Sequence, residues 1–258
     1  MKIATFNTNS VRARLPVITG WLGREKPDLL CLQETKVQDE MFPAGDFEDS
    51  GYHVVFSGRK SYNGVAVAAR EALEVLRRDL FKEDEGQARF LEVIYSGLRV
   101  INVYVPQGFE VGSDKFAYKL RWLEALHSYI TGRFDPAFPL VVLGDLNVAL
   151  TARDVYDPEH FAGKVAFHPD EQAILRSLLD WGLVDLFRKH EPGPGHYTFW
   201  DYRMPNGVKR NLGWRIDYIL ATPPVAERSI AAWIDRDARL LPKPSDHTFL
   251  TVEVDFHS

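Results

Sequence analysis

With a single cysteine in 258 residues, no intramolecular disulfide can form. Cys31 sits inside the apolar run Leu29 to Leu32, which marks it as a buried structural thiol suited to a reducing compartment. No apolar run approaches the length that spans a bilayer, and Asn7, Asn9, Arg12 and Arg14 leave no room for a secretory h-region. No membrane association and a cytoplasmic location are therefore expected. A Pro/Gly/Ser-rich linker, a low-complexity tract and a fixed-period repeat are all missing, so residues 1–258 are expected to form a single domain. The chain also lacks a Walker-type glycine loop, a G-x-S-x-G elbow and any zinc spacing of Cys or His. These absences exclude P-loop chemistry and a serine nucleophile, leaving water as the expected nucleophile. Nor is there a surplus of basic residues: 31 Lys and Arg face 36 Asp and Glu, a net charge of −5. A cluster of site carboxylates, offset by a bound divalent cation, can account for that sign while Lys and Arg gather around the same segments. Net charge alone leaves the partner undecided.

What is present is a series of short apolar or β-branched runs punctuated by turn residues. Lys2 to Asn7, Leu29 to Gln33, His53 to Ser57, Gly64 to Ala69, Phe90 to Tyr95 and Leu98 to Tyr104 read as strands. Leu140 to Gly144, Tyr197 to Trp200, Ile216 to Leu220, Ser229 to Ile234 and Phe249 to Phe256 follow, more than one ordinary sheet holds. Helical spacing joins Phe116, Leu120, Leu123, Leu126 and Ile130, with Asp114 to cap the start and Gly132 to end it. Further helices are expected over Asp170 to Trp181 and from about Leu15 to Arg24, the latter with Pro16 in its first turn. The pattern predicts an α/β sandwich, two sheets inside and helices outside, with site residues where strand ends meet loops.

Four segments place acid, amide or imidazole groups just beyond apolar runs: Gln33-Glu34-Thr35, Gly144-Asp145-Leu146-Asn147, Arg215-Ile216-Asp217-Tyr218 and Ser245-Asp246-His247. Glu34 after its strand is an oxygen ligand of the kind magnesium or manganese takes. A strand period of two turns Asp145 and Asn147 to one side, a carboxylate to accept a proton and an amide to donate to a phosphoryl oxygen; an Asx turn is the competing use. Asp217 heads an apolar run and needs a partner, for which His247 is the best candidate: a carboxylate on one ring nitrogen leaves the other free for phosphate. Asp246 can serve the metal. Tyr104 ends its strand as either a phenol donor or a packing aromatic. From Tyr197 to Arg215, Phe199, Trp200, Tyr202 and Trp214 alternate with Arg203, Lys209, Arg210 and Arg215, a nucleic-acid footprint in which some rings, Phe199 and Trp214 among them, also pack. Arg12, Arg14, Lys36, Arg59, Lys60, Lys115 and Lys119 extend the basic rim.

These residues together resemble the exonuclease III family of abasic-site endonucleases, within the endonuclease/exonuclease/phosphatase superfamily. The likeness is carried by Phe6-Asn7-Thr8-Asn9, Leu32-Gln33-Glu34-Thr35-Lys36, Tyr104-Val105-Pro106-Gln107-Gly108, Gly144-Asp145-Leu146-Asn147, Trp200-Asp201-Tyr202-Arg203, Gly213-Trp214-Arg215-Ile216-Asp217-Tyr218 and Lys243-Pro244-Ser245-Asp246-His247. It implies a four-layered, DNase I-like α/β sandwich of two mixed sheets packed face to face. It also implies hydrolysis of double-stranded DNA with Mg2+ or Mn2+, at a 3′ end or 5′ of an abasic site, by a protein expected to be monomeric. By position, Asn7, Glu34, Asp145, Asn147, Asp246 and His247 would surround the metal, and Tyr104, Asp145, Asn147, Asp217 and His247 would carry the chemistry. Arg12, Lys115, Phe199, Trp200, Arg203, Lys209, Arg210, Trp214 and Ile216 would meet DNA, with Phe199, Trp214 and Ile216 lining a pocket for an extruded sugar. A phosphoesterase for a small phosphorylated ligand is the alternative, and it has little use for the aromatic and basic segment.

Overall fold

The computed structural model describes residues 1–82 and 87–256. Among them, strands β1 (Lys2–Asn7), β2 (Leu29–Gln33), β3 (His53–Ser57) and β4 (Val65–Ala69) join β11 (Ser229–Asp235) and β12 (Phe249–Val254) in a mixed sheet ordered β11-β12-β1-β2-β4-β3. The second sheet, β5-β6-β7-β8-β10-β9, comprises β5 (Glu74–Arg77), β6 (Phe90–Tyr95), β7 (Leu98–Tyr104), β8 (Leu140–Asp145), β9 (Val184–Asp185) and β10 (Asp217–Ala221). The central strands are apolar on both faces because both faces are covered. In β1, Ile3 enters the core between the sheets while Ala4 and Phe6 turn outward; in β8, Val141 and Leu143 face in and Leu140 and Val142 face out.

Helix α1 (Val11–Glu25) covers the first sheet through Val17, Ile18, Trp21 and Leu22, with Trp21, Phe249 and Phe6 stacked at centroid distances of 4.1 and 4.0 Å. Helices α3 (Asp114–Arg133) and α5 (Pro169–Trp181) cover the second through Trp122, Leu126, Leu175 and Leu178, while α2 (Ala44–Asp49) and α4 (Pro158–Phe161) are short. The result is the four-layered sandwich, helices outside. Buried polar groups fix one sheet on the other: Gln33 Nε2 donates to Asn102 Oδ1 at 2.7 Å, and Asn102 Nδ2 donates to the Leu32 and Ala66 carbonyls at 3.0 and 2.9 Å.

The sequence reading misplaces several boundaries. Helix α1 begins four residues before Leu15, so Pro16 lies inside it, at an exposed position beside the exposed Arg12 whose carbonyl it leaves without a helical donor. Ser113, not Asp114, caps α3, accepting from the Phe116 amide, and the helix runs through Gly132 to Arg133. Tyr197 to Trp200 forms no strand, only isolated bridges from Phe199 to Trp214 and to His247. Strands β5 and β9 were not anticipated: β5 alternates half-buried and exposed residues, and β9 has two residues, so neither shows a clear apolar period. No helix among the described residues is long and apolar enough to cross a membrane.

Candidate active site

Parallel strands bring their carboxyl ends to one end of the sandwich, and the antiparallel partners start there. In the second sheet Tyr104 of β7 registers with Asp145 of β8, and Asp145 with Asp217 of β10, so one row holds all three. Gly144 makes the row possible: its φ is +134° and an added Cβ would lie 2.0 Å from the Val103 carbonyl oxygen. The first sheet supplies Asn7 from the end of β1, Glu34 just after β2 and His247 just before β12.

The two sets meet at Asp145. Its Oδ2 accepts from Asn7 Nδ2 at 2.8 Å and Asn147 Nδ2 at 3.1 Å, its Oδ1 accepts from the Asn147 amide at 2.9 Å, and His247 Nε2 stands 3.8 Å from Oδ2. His247 Nδ1 lies 2.8 Å from Asp217 Oδ2, the partnership expected from the sequence. Asp217 Oδ1 is buried with no hydrogen-bond partner among the described residues. Asp246 Oδ1 accepts from Asn9 Nδ2 at 3.0 Å, and Lys36 Nζ bridges Asn9 Oδ1 at 2.7 Å and Glu34 Oε1 at 2.8 Å. Asn9 is thus a member of the site that the sequence reading passed over, although it stands two residues from Asn7.

Burial pushes the Asp145 carboxyl up to about 7; the imidazolium of His247 opposes that rise and Asp217 adds to it. For His247 burial favours the neutral ring, but the Asp217 and then the Asp145 carboxylate override it and raise the imidazole to about 10. Burial, then the Glu34 and Asp145 carboxylates, hold the Tyr104 phenol well above its ordinary value, keeping it a proton-bearing donor. Ligand atoms of Asp145, Asp217 and His247 fall within 4.8 Å of one another. Carboxylate oxygens, one of them orphaned, suit a hard divalent cation that would offset their charge. Asp217, expected from the sequence only as the partner of His247, thus also carries a free oxygen that could reach a cation. Both polar atoms of Asn7 are engaged, Oδ1 accepting from the Asn9 amide at 3.0 Å.

A cleft of about 1110 Å³ opens over this floor, lined by Glu34, Tyr104, Asp145, Asn147, Asp246 and His247 and walled by Phe199, Trp214, Ile216 and Arg203. Phe199 tilts against the His247 ring at 4.9 Å, and Trp214 meets Phe161 edge-on at 4.5 Å. Phe161 and Tyr156, also in the wall, carried no motif in the sequence. Arg203 is paired with Asp201 Oδ2 at 2.6 Å, its side chain 90% exposed. Arg12, Lys115, Lys209 and Arg210 are exposed outside the lining, Lys115 with its Nζ 4.9 Å from the Phe109 ring centroid.

Three members of the expected basic and aromatic surface lie in the interior instead. Trp200 is 1% exposed, packed beneath the segment whose neighbours line the cleft. Arg215 is fully enclosed, its Nε 2.7 Å from Asp154 Oδ1 and its Nη2 2.8 Å from Asp185 Oδ2, with Arg188 Nη2 on the same Asp154 oxygen at 2.6 Å. Lys119 is buried against Glu171. Charge and aromaticity mark a residue as able to meet DNA; only the partners across the fold decide whether it does.

The chain matches the Endonuclease/Exonuclease/phosphatase family over residues 4–247. It is 35% identical over 266 residues to the exodeoxyribonuclease III of Haemophilus influenzae, covering 98% of this chain and 99% of that protein. Its structure superposes on an AP endonuclease from Archaeoglobus fulgidus with a TM-score of 0.96 at 45% identity, over 99% of this chain and 100% of that one. A 3′ phosphatase from Neisseria bound to a product DNA hairpin matches with a TM-score of 0.92 at 38% identity, over 99% and 100%. The chain therefore belongs to the exonuclease III and AP endonuclease family of DNA repair nucleases, hydrolases of the endonuclease/exonuclease/phosphatase superfamily.

Proposed function

We propose that this protein uses Mg2+ or Mn2+ to hydrolyse phosphodiester bonds of double-stranded DNA, trimming 3′ ends, cutting 5′ of abasic sites, or both. It would act as a cytoplasmic monomer, with the whole chain forming one nuclease domain. The observation that carries the reading is the Asp145–His247–Asp217 contact on the floor of a cleft whose wall is aromatic and apolar. Relatives named exodeoxyribonuclease III and AP endonuclease support the two activities, and the DNA-bound phosphatase supports a DNA ligand.

Asp145, Asp217 and Glu34 would hold the metal, which when bound would supply a lowered pKa for water and offset the phosphate charge. Asp145, whose carboxylate is set on the cleft floor by Asn7 and Asn147, takes the proton of the attacking water. Asn147 Nδ2, beside Asp145, turns to a non-bridging oxygen as negative charge builds, and the protonated Tyr104 donates from the other side. Asp217 fixes His247 through Nδ1, leaving Nε2–H to face the phosphate. Phe199, Trp214 and Ile216 receive the sugar where no base fills the space, and Arg203 meets the backbone. Arg12, Lys115, Lys209 and Arg210 steer from farther out.

The test follows a 5′-labelled duplex with one internal abasic analogue beside an intact duplex, with magnesium and with chelator. A single metal-dependent cut at the lesion identifies an abasic endonuclease, and a ladder from the 3′ end of both identifies an exonuclease. Cleavage of neither duplex overturns the DNA assignment and favours small phosphorylated ligands.

A further inference from the structure

Lys119 is a cation that neither meets solvent nor touches the cleft. Its side chain and that of Glu171 are both fully buried, and the ammonium has three partners: Glu171 Oε2, the Asn147 main-chain carbonyl at 2.7 Å and the Gln107 main-chain carbonyl at 3.3 Å. The ammonium donates to the two carbonyls and is neutralised by its ion pair with Glu171. Two of the partners are main-chain oxygens of the loops that follow β8 and β7; the first loop carries Asn147 and the second starts directly after Tyr104. Gly108, with φ +95°, leaves room for the lysine stem: an added Cβ would lie 3.0 Å from Lys119 Cδ.

Asn147 adopts the left-handed conformation, φ +51°, a turn that points its amide back to Asp145 Oδ2 and the Val105 carbonyl. That turn also directs the Asn147 carbonyl into a region where no water reaches it and Lys119 is its donor. A buried carbonyl without a donor would favour a different main-chain conformation, and the side-chain amide would move with it. Glu171 is held in turn by the His168 amide at 3.1 Å at the start of α5, so the clamp is anchored on two outer helices.

We propose that Lys119 is a positioning residue for phosphodiester hydrolysis, its buried ammonium pinning Asn147 and the Val105–Gly108 loop from behind so that the Asn147 amide is held against Asp145 on the cleft floor. The inference rests on the role given to Asn147 above. It assigns a catalytic consequence to a residue that touches neither substrate nor metal.

The test compares Lys119→Met/Glu171→Leu, an apolar pair of similar volume that removes the ammonium without stranding a buried charge, with the parent on the abasic duplex in magnesium. A fall in kcat of about 10²-fold, the loss that a displacement near 1 Å brings, is expected with KM unchanged and the folded circular-dichroism spectrum retained. Lys119→Gln/Glu171→Gln, whose neutral amide is one bond shorter than the ammonium and donates more weakly, should show a smaller but measurable fall in kcat and serves as the second variant if the apolar pair fails to fold. In an Asn147→Ala background the Lys119 change should remove little more, because residues that act as one unit are not additive. Fully parent-like kcat in the folded apolar pair, or in the glutamine pair if only that one folds, where Asn147→Ala is impaired, or multiplicative losses in the combined variant, overturns the positioning role. Parent-like kcat in Asn147→Ala alone overturns the role of Asn147 itself.

Discussion

The segment that carries Trp214, Ile216 and Asp217 hangs on a buried carboxylate, and Asp154→Asn tests how much. Asp154 Oδ1 accepts from Arg215 Nε at 2.7 Å and from Arg188 Nη2 at 2.6 Å, while Oδ2 accepts from the Thr151 amide at 2.9 Å and its hydroxyl at 2.8 Å. Asparagine has the same volume, so no cavity opens, but either orientation turns its NH2 toward donors. With the charge gone, Arg215 retains only Asp185. Breaking a buried pair by removing one partner costs about 3–5 kcal/mol, a large share of a typical ~5–15 kcal/mol, and lowers Tm by roughly 10 °C for a chain of this size. The pH dependence has a definite sign. Burial alone would raise the Asp154 carboxyl, but Arg215 and Arg188 hold it below its ordinary 3.8. Its contribution is therefore complete above pH 3.8 and lost as pH falls through the lower folded value. Urea denaturation of parent and variant across this range should show a difference that is constant near neutrality and shrinks below pH 3.8. A neutral-pH difference under about 1 kcal/mol, the value of an exposed pair, or one that grows on acidification, refutes the argument.

Asp145→Asn should lose turnover in magnesium yet, free of metal, be at least as stable as the parent at pH 8. A carboxyl raised to about 7 on folding takes stability away as pH climbs from 3.8 through 7, so thermal melts in chelator check the sign and a lower Tm for the variant contradicts it. Magnesium or manganese should raise the parent's Tm by binding the folded state, and Asp145→Asn/Asp217→Asn should abolish the shift; an equal shift in both proteins removes these carboxylates from the metal site. Trp200→Ala should destabilise by about 3–5 kcal/mol, as expected for a buried aromatic, whereas Trp214→Ala, at the cleft wall, should cost less stability and more kcat/KM. The reverse order in urea melts and turnover would contradict the division drawn between the two rings. Arg203→Ala should raise KM for duplex without changing stability, its side chain being almost wholly exposed.

The central strands and the catalytic motifs were legible in the sequence because both depend on local pattern. Runs such as Leu140 to Leu143 are apolar at every position since both faces of an inner strand are buried, and Asp145, Asp217 and His247 stand beside strand ends where antiparallel and parallel partners converge. The pairing of Asp217 with His247 could be read from residue chemistry alone. The short edge strands β5 and β9 could not, having too little apolar period, and neither could the ends of α1 and α3, which packing carries past Pro16 and Gly132.

What the sequence by itself determined was the layered α/β class, the family and the acidic residues of the floor, because strand period and residue type persist without knowledge of neighbours. Tertiary structure alone decided the fate of each cation and ring. Arg203 and Arg215 lie in one aromatic and basic stretch, yet one is in solvent and the other is locked between Asp154 and Asp185. Lys115 and Lys119 share a helix, but one helical turn separates the exposed rim from the clamp behind Asn147. The physical reason is that burial and charge pairing are set by groups tens of residues away along the chain, and nothing in a side chain's own identity records which of them it will meet.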